Sequence, residues 1–292
     1  MGWGGWGIAS GLLVPARKPV APGRGSLRDN QMAFDQEDFR RQFWGLHGSL
    51  QGLPLDGVGE LYLLGLHERD SARRATRNRR LYTSGFRWSR KPATGRFHYD
   101  WESALQVGTS RATRAFADTS DLNHLAHMHS IEVGYTLEAP TTPRMALIHE
   151  YASGDRDPFD AGNNRFDTLY GARRFAHGPT GIWGAFARSN INSPGYLLSL
   201  SPLPDIRLMV KHRFYWLASR RDAWTTTGVR DVTGNFGNLV GHQVESRLRW
   251  EALPGNLRVE IGIAHLFDNE FIQSGTNEGA VTYGYGQCIL TF

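Results

Sequence analysis

Along most of this chain apolar and polar residues alternate one by one, the pattern of strands whose two faces meet different media. From Gly95 to Val107 the odd positions are Phe97, Tyr99, Trp101, Ser103, Leu105 and Val107. The even positions are Arg96, His98, Asp100, Glu102, Ala104 and Gln106. Val244 to Ala252 repeats this in opposite phase, with Val244, Ser246, Leu248 and Trp250 set against Glu245, Arg247, Arg249 and Glu251. Leu257, Val259, Ile261 and Ile263 alternate with Arg258, Glu260, Gly262 and Ala264, and Leu208, Val210, Phe214 and Trp216 interleave with Arg207, Lys211, Arg213 and Tyr215. Wound as helices, these windows would place charge on every side of the cylinder, so helices are excluded.

Turn signals divide the strands in a regular rhythm. Short Pro/Gly/Asx connections are predicted at 53–56, 91–94, 139–143, 202–205 and 253–256. Long polar connections are predicted near 69–79, 109–123, 154–180, 220–238 and 268–280. Short and long connections alternate strictly, as in a meander with tight turns at one end and long loops at the other. The pattern predicts about 11 strands from Arg40 onward and one more near Gly7 to Val20, an even total of about 12. Runs of roughly 10–14 residues exceed the usual soluble strand and suit a tilted membrane crossing. The expected fold is therefore all-β: an antiparallel up-and-down transmembrane β-barrel with short periplasmic turns and long extracellular loops. A β-sandwich is the soluble alternative, but it gives no reason for the short–long order.

Residues 1–38 are expected to hold the first strand and a loop, and 39–292 the barrel domain. The opening Met1 to Val14 lacks the cationic start and long apolar core of a secretory signal. The strand from Gly284 stops on Phe292 and resembles the terminal signal read by the barrel assembly machinery.

Composition narrows the function. The 292 residues contain no apolar run long enough for a spanning helix. A single cysteine, Cys288, excludes a disulfide scaffold or multi-cysteine metal cluster. The formal net charge is +5, and only Lys18, Lys91 and Lys211 among the 33 basic residues are lysine. Arginine forms planar bidentate contacts with carboxylates and phosphates, so the balance favours handling of anions. Because these charges are interleaved with acids along alternating strands, nucleic-acid binding is a poor reading.

In a barrel the aromatic face meets lipid and the charged face lines the lumen, since a charge at the bilayer midplane costs about 2–4 kcal/mol. The expected lumen cations are Arg87, Arg96, Arg207, Lys211, Arg213, Arg247, Arg249 and Arg258, with Lys211/Arg213 beside Arg247/Arg249. Asp100, Glu102, Glu132, Glu245, Glu251 and Glu260 share the lumen and could brace it through ion pairs. The same cations could instead contact a polyanion, weakly enough to release it. Trp88, Trp101, Trp216 and Trp250 fit an aromatic girdle. His124, His127 and His129 suggest a metal cluster, but two share the outward parity of Ile131 and Val133, so an interfacial entry to a strand is expected instead. Asp155, Asp157 and Asp160 could offer oxygens to calcium, although their spacing is not that of an EF-hand. His129 and Ser130 face opposite sides of a strand, and no Gly-x-Ser-x-Gly, phosphate loop or dinucleotide fingerprint occurs. No enzyme activity, metal or cofactor is therefore expected.

Several stretches, in order, resemble the bacterial alginate export porins. Gln42-Phe43-Trp44-Gly45-Leu46-His47 is similar to that family's FWGLY strand, and Gly59 to Leu66 to its LDLYYLGL strand. Phe97 to Glu102 resembles its YDWE strand; Ala152 to Pro158 followed by Phe166 to Tyr170 resembles its ASGDxNP…FxPLYP connection. Phe214 to Leu217 with Arg220-Arg221-Asp222 resembles FWxxxxRD. The resemblance runs from about Leu12 to Phe292, and this chain is shorter at the front than the larger barrels of that family. It implies passive export of an anionic uronate polysaccharide such as alginate across the outer membrane of a Gram-negative bacterium. Expected partners are that polymer, outer-membrane lipid and lipopolysaccharide, and the assembly machinery, with periplasmic export proteins a further candidate. A plugged or incomplete structural barrel is the main alternative, and an outer-membrane barrel hydrolase a lesser one.

Overall fold

The computed structural model describes residues 8–18, 36–72, 74–171, 177–180 and 182–292; the Gly/Trp-rich opening Met1–Gly7 lies outside them. The alternating windows form antiparallel strands. These are β1 (Ile8–Lys18), β2 (Gln36–Leu53), β3 (Gly57–Glu68), β4 (Arg80–Arg90), β5 (Arg96–Ser110), β6 (Leu122–Thr136) and β7 (Arg144–Ala152). After the two-residue β8 (Gly162–Asn163) come β9 (Ile191–Leu203), β10 (Ile206–Trp216), β11 (Leu239–Leu253), β12 (Leu257–Asp268) and β13 (Val281–Leu290). Each strand except β8 pairs with its chain neighbours, giving a twelve-strand up-and-down path among the described residues, while β8 adds a short parallel bridge to β6. No pairing joins β1 to β13 among the described residues. One short helix, α1 (Glu270–Gly275), sits in the last long connection, and no described helix is long and apolar enough to cross a membrane.

The five tight turns fall where Pro, Gly and Asx predict them, between β2 and β3, β4 and β5, β6 and β7, β9 and β10, and β11 and β12. Positive φ at Gly95 (72°) and Gly255 (83°) reverses the chain there without the clash a Cβ would bring. From β3 onward register shifts lie at strand ends, at Leu50/Leu53, Ile206/Leu208, Tyr215/Trp216 and Trp250/Leu253, and β1 shifts against β2 at Pro15/Ala16, so the parity of the strand centres is preserved.

That parity separates two faces. One carries Leu61, Trp101, Leu105, Val133, Leu147, Leu198, Val210, Leu248, Ile261 and Ile263, all exposed, with Leu147 at 71 % and Leu61 at 68 %. In water this band would exceed the few hundred Å² of apolar patch that a soluble monomer shows; in lipid it is the expected surface. The opposite face carries the charges and is concave. Part of the connection between β7 and β9 folds against that face. Tyr170 from this connection packs edge-on against Phe43 of β2, with centroids 5.3 Å apart. Thr180 lies 2.8 Å, Oγ1 to Oη, from Tyr283 of β13. One connection therefore touches strands from nearly both ends of the sheet. Phe166, Phe186, Tyr215, Leu217, Val240, Phe271 and Ile272 bury together where it meets the long-loop end.

The outward histidines are unevenly placed. His67, His127, His149, His212, His242 and His265 lie in the loop-proximal half of their strands and His129 at mid-strand, among Tyr82, Tyr151, Tyr196 and Phe267. Towards the tight turns the belt is instead Phe97 on Tyr135 and Phe86 on Trp101, with Trp250 Nε1 bonded to Asp205 at 2.9 Å.

Candidate functional site

All eight cations expected in the lumen lie on the concave face by strand parity. Arg87 makes a fork with Asp100 (2.7 and 2.5 Å) and reaches Glu60 at 3.2 Å. Arg249 donates twice to Glu260 (3.0 and 2.9 Å), which Arg247 approaches at 4.0 Å, and Arg258 pairs with Glu251 at 2.6 Å. Lys211 and Glu245, both buried, pair at 2.9 Å. Arg213, also buried, donates to Ser193 Oγ at 3.0 Å and lies 3.7 Å from Glu150. Arg96 is exposed, 3.7 Å from Asp56 at the turn end. Arg207 makes no ion pair with a described residue and stands opposite Arg249. The register thus sets Lys211 against Glu245 and Arg213 against Gln243, so Arg247 and Arg249 are offset from them along β11.

Flat-lying aromatics line the same face. Tyr62 crosses Gly85, where a Cβ would come within 2.3 Å of its ring, and so brings its hydroxyl to Glu102 at 2.8 Å. Tyr285 does the same over Gly262 (2.4 Å) and donates to Glu260 at 2.8 Å.

The inward connection is held by side chains. Gln106, fully buried on β5, accepts from Asp167 N–H (2.9 Å) and donates to Asp167 C=O (3.1 Å), so one amide acts as a strand partner. The same amide bonds Thr83 Oγ1 (2.8 Å) and His124 Nε2 (2.9 Å). Arg79 ties Asp167 (2.7 Å) to Glu68 (2.8 Å), holding the Asp167 carboxyl below the ordinary range against the opposing effect of burial. Arg188 donates to Glu150 and lies 3.2 Å from Glu102. His177 is buried with Nε2 3.3 Å from Glu150, close enough for Coulomb attraction but out of line for a hydrogen bond. Trp183 Nε1 donates to Gln243 at 2.8 Å.

The connection divides the concave space. Below Phe166–Tyr170 lies a cleft of about 450 Å³ beside Phe43, Tyr62 and Arg188, and a narrower one of about 180 Å³ between Lys211, Arg213, Arg247 and Glu132. Above it, at the long-loop end, a third cleft of about 440 Å³ opens beside Arg77, Arg79, Arg114 and Arg165. Its outer wall is anchored on Asp222, fully buried, which accepts from Asp155 N–H (2.9 Å) and from the Arg165 guanidinium (Nε, 2.7 Å). The ASGD, FDTLY and RRD stretches, distant in sequence, thus meet in one loop assembly.

Other sequence candidates are dispersed. His124 points inward to Gln106 while His127 and His129 face outward, and no three potential metal ligands converge among the described residues. Asp157 and Asp160 spend their oxygens on turn N–H groups of Phe159 and Gly162, and Asp155 faces Asp222 and Arg230. Trp88 and Trp101 share the outward parity of β4 and β5, as do Trp216 and Trp250 on β10 and β11. Ser103 Oγ lies 2.8 Å from His129 Nδ1, and His149 bonds Asn192; no acid pairs with His129 among the described residues. Glu150, Gln106, Arg79, Asp167 and Arg188 escape sequence reasoning. Parity alone could have flagged Glu150 and Gln106, whereas the three on connections carry no periodic signal.

Comparison with curated proteins gives no match. Residues 26–284 match the family model described as alginate export. With an apolar outer band, a charged concave face and a twelve-strand meander to carry them, the chain belongs to the alginate export family.

Proposed function

We propose that the chain is a channel in the outer membrane of a Gram-negative bacterium through which an anionic uronate polysaccharide leaves the cell passively, steered by the basic lumen. The observation that carries this reading is the inward row Arg207, Lys211, Arg213, Arg247 and Arg249 on β10 and β11, set behind a lipid-facing row with no charge among Leu208, Val210, Phe214, Leu248 and Trp250. Most of these cations have an acid partner that tempers their pull, so a sliding polyanion exchanges one carboxylate for another and is not trapped. Arg207, without such a partner among the described residues, is the cation most available to cargo. The proposed partners are the polymer, the surrounding lipid and lipopolysaccharide, the barrel assembly machinery, and periplasmic proteins that deliver the chain.

The test is planar-bilayer conductance of the refolded chain with selectivity read from reversal potentials. Anion-selective steps that oligouronates block, with selectivity lowered by Arg207→Glu, support export. Selectivity unchanged in that variant refutes the role of the basic row. The inward connection favours a second reading, a barrel plugged across its middle; a folded, heat-modifiable chain that inserts but stays silent would establish it.

A further inference from the structure

The outward surface is grooved near the tight turns of β2–β3 and β4–β5. A cleft of about 550 Å³ runs over β2, β3 and β4, between Leu50 on one side and Phe86 and Trp88 on the other, with Leu61 at its inner end. The register explains it. Gly48 pairs with Leu61 and Leu61 with Phe86; one outward row nearer the turns, Leu50 pairs with Gly59 and Gly59 with Trp88. Two successive outward rows thus each set a glycine beside bulky apolar side chains, and the missing side chains leave the groove. A Cβ at Gly48 would meet nothing within 4 Å, and at Gly59 only the Leu53 side chain leans over the floor.

The turn end of this groove is polar. Trp88 and Tyr99 lie against each other, centroids 4.8 Å apart, and both cross Gly57, where a Cβ would come within 2.5 Å of them. Trp88 Nε1 is shut off from solvent and has no acceptor among the described residues. Arg90 continues the outward row of Phe86 and Trp88 along β4, and Lys91 follows it into the turn. Arg90 and Arg96 share Asp56, at 3.0 and 3.7 Å, while Lys91 is exposed and makes no ion pair with a described residue. Glu138 also comes near this turn, at Gly95, so cations outnumber acids there by three to two. Apolar trough, indole N–H and then cations repeat the order of acyl chain, ester carbonyl and phosphate in a lipid.

We propose that the groove docks one anionic glycerophospholipid, its acyl chain laid over Gly48 and Gly59 and its phosphate at Arg90 and Lys91. The assignment rests on the outer-membrane reading, which puts the tight turns in the periplasmic leaflet, where the lipids are glycerophospholipids and not lipopolysaccharide. The basic end favours this occupant over a second copy of the chain. A two-fold contact through the groove would bring the partner's own cations towards Arg90 and Lys91, and like charges oppose that.

The test is native mass spectrometry of the refolded full-length chain, released from detergent micelles after titration with phosphatidylglycerol. One saturable adduct is expected, with zwitterionic phosphatidylcholine binding more weakly. Gly48→Leu fills open space on the floor and should abolish the adduct. Gly284→Leu, at an equally open outward glycine on β13, should leave it unchanged. Arg90→Gln/Lys91→Gln should weaken phosphatidylglycerol by roughly fivefold per cation and erase its advantage over phosphatidylcholine. An adduct that survives Gly48→Leu, or that Gly284→Leu removes as well, would overturn the groove as the site. Equal affinity for the two lipids in the parent would overturn the anionic headgroup. A dimer that phosphatidylglycerol fails to displace and that Gly48→Leu abolishes would give the groove to a second copy instead. Should Gly48→Leu fail to show heat-modifiable mobility, the Arg90→Gln/Lys91→Gln variant carries the test, and an unchanged adduct there would likewise overturn the proposal. A chain that holds the lipid yet passes no current sinks the export reading and leaves the groove standing, and a conducting chain without the adduct does the reverse.

Discussion

Gln106 is the point where wall and inward connection can be separated. Replacing it with leucine keeps the volume and removes all four hydrogen bonds, two of them to the backbone N–H and C=O of Asp167. With the connection in place, each backbone group left without a partner costs about 1–3 kcal/mol, or about 2–6 kcal/mol for the two. Swinging into water recovers those bonds, so the substitution favours the open arrangement. At 1.4 kcal/mol per decade the lower bound is roughly a 25-fold shift in the ratio of open to closed. Arg79 still holds Asp167 at 2.7 Å and Arg188 still bonds Glu150, which sets a floor under the closed population. Single-channel recording reads that ratio as dwell times in the high- and low-conductance levels. Thr83→Val is the control: it removes only the 2.8 Å bond to Gln106, worth about 0.5–1.5 kcal/mol, and leaves Asp167 untouched. If Gln106→Leu folds, inserts and gives the parent's dwell distribution, the inward connection is not what limits current, and a gate hinged on Gln106 is refuted.

Other consequences are open to direct measurement. Leu147→Arg places a guanidinium at a 71 % exposed outward position and should cost about 2–4 kcal/mol in urea unfolding from vesicles if that site is near midplane; a loss under about 0.5 kcal/mol would mean the outward face is wet. Gly85→Leu drives side-chain atoms into the Tyr62 ring, which already lies 2.3 Å from an ideal Cβ, and should cost about 1–3 kcal/mol and break the Tyr62–Glu102 bond, visible as a lower heat-modification midpoint. Asp231 accepts from Thr233 N–H, Thr233 Oγ1 and Phe236 N–H, and these bonds pull its pKa down to about 2. A depressed carboxyl stabilises its loop at every pH above the unfolded value near 3.9, and the gain disappears as pH falls through about 2. Amide exchange of Thr233 and Phe236 should therefore stay protected at pH 4 and lose protection near pH 2, and Asp231→Asn should remove most of that change.

Much of the wall is legible because two media impose it. A strand between lipid and water has no choice of period, so Phe97 to Val107 and Val244 to Ala252 reveal both element and facing, and Pro54, Pro92 and Pro254 mark three of the tight turns. Register is less legible. Lys211 faces Glu245 and not Arg247 because β10 and β11 pair in one unbroken register from Ile206 to Tyr215, and alternation is blind to an even shift of that register. The inward connection is the least legible part. Residues 153–190 have no period, and the contacts that seat them, Gln106 with Asp167 and Arg188 with Glu150, join positions 61 and 38 residues apart. At Gln106 the sequence shows only one more even-numbered polar residue. Its role appears once a second backbone lies against it.

The uneven belts of the outer surface act as a vertical gauge. Phe97, Tyr135, Phe86 and Trp101 gather towards the tight turns, whereas all seven outward histidines lie from mid-strand to the loop end. Imidazoles tolerate hydrated, phosphate-bearing headgroups and are poorly suited to the hydrocarbon, so sliding the wall by a few residues along its axis would drag one belt out of its layer. Inverting the molecule would exchange the belt that holds the histidines, with Tyr82, Tyr151, Tyr196 and Phe267 among them, for the histidine-free belt of Phe97, Tyr135, Phe86 and Trp101. Depth and polarity are therefore written on the lipid-facing surface itself, independently of the loops and of anything that passes through the middle.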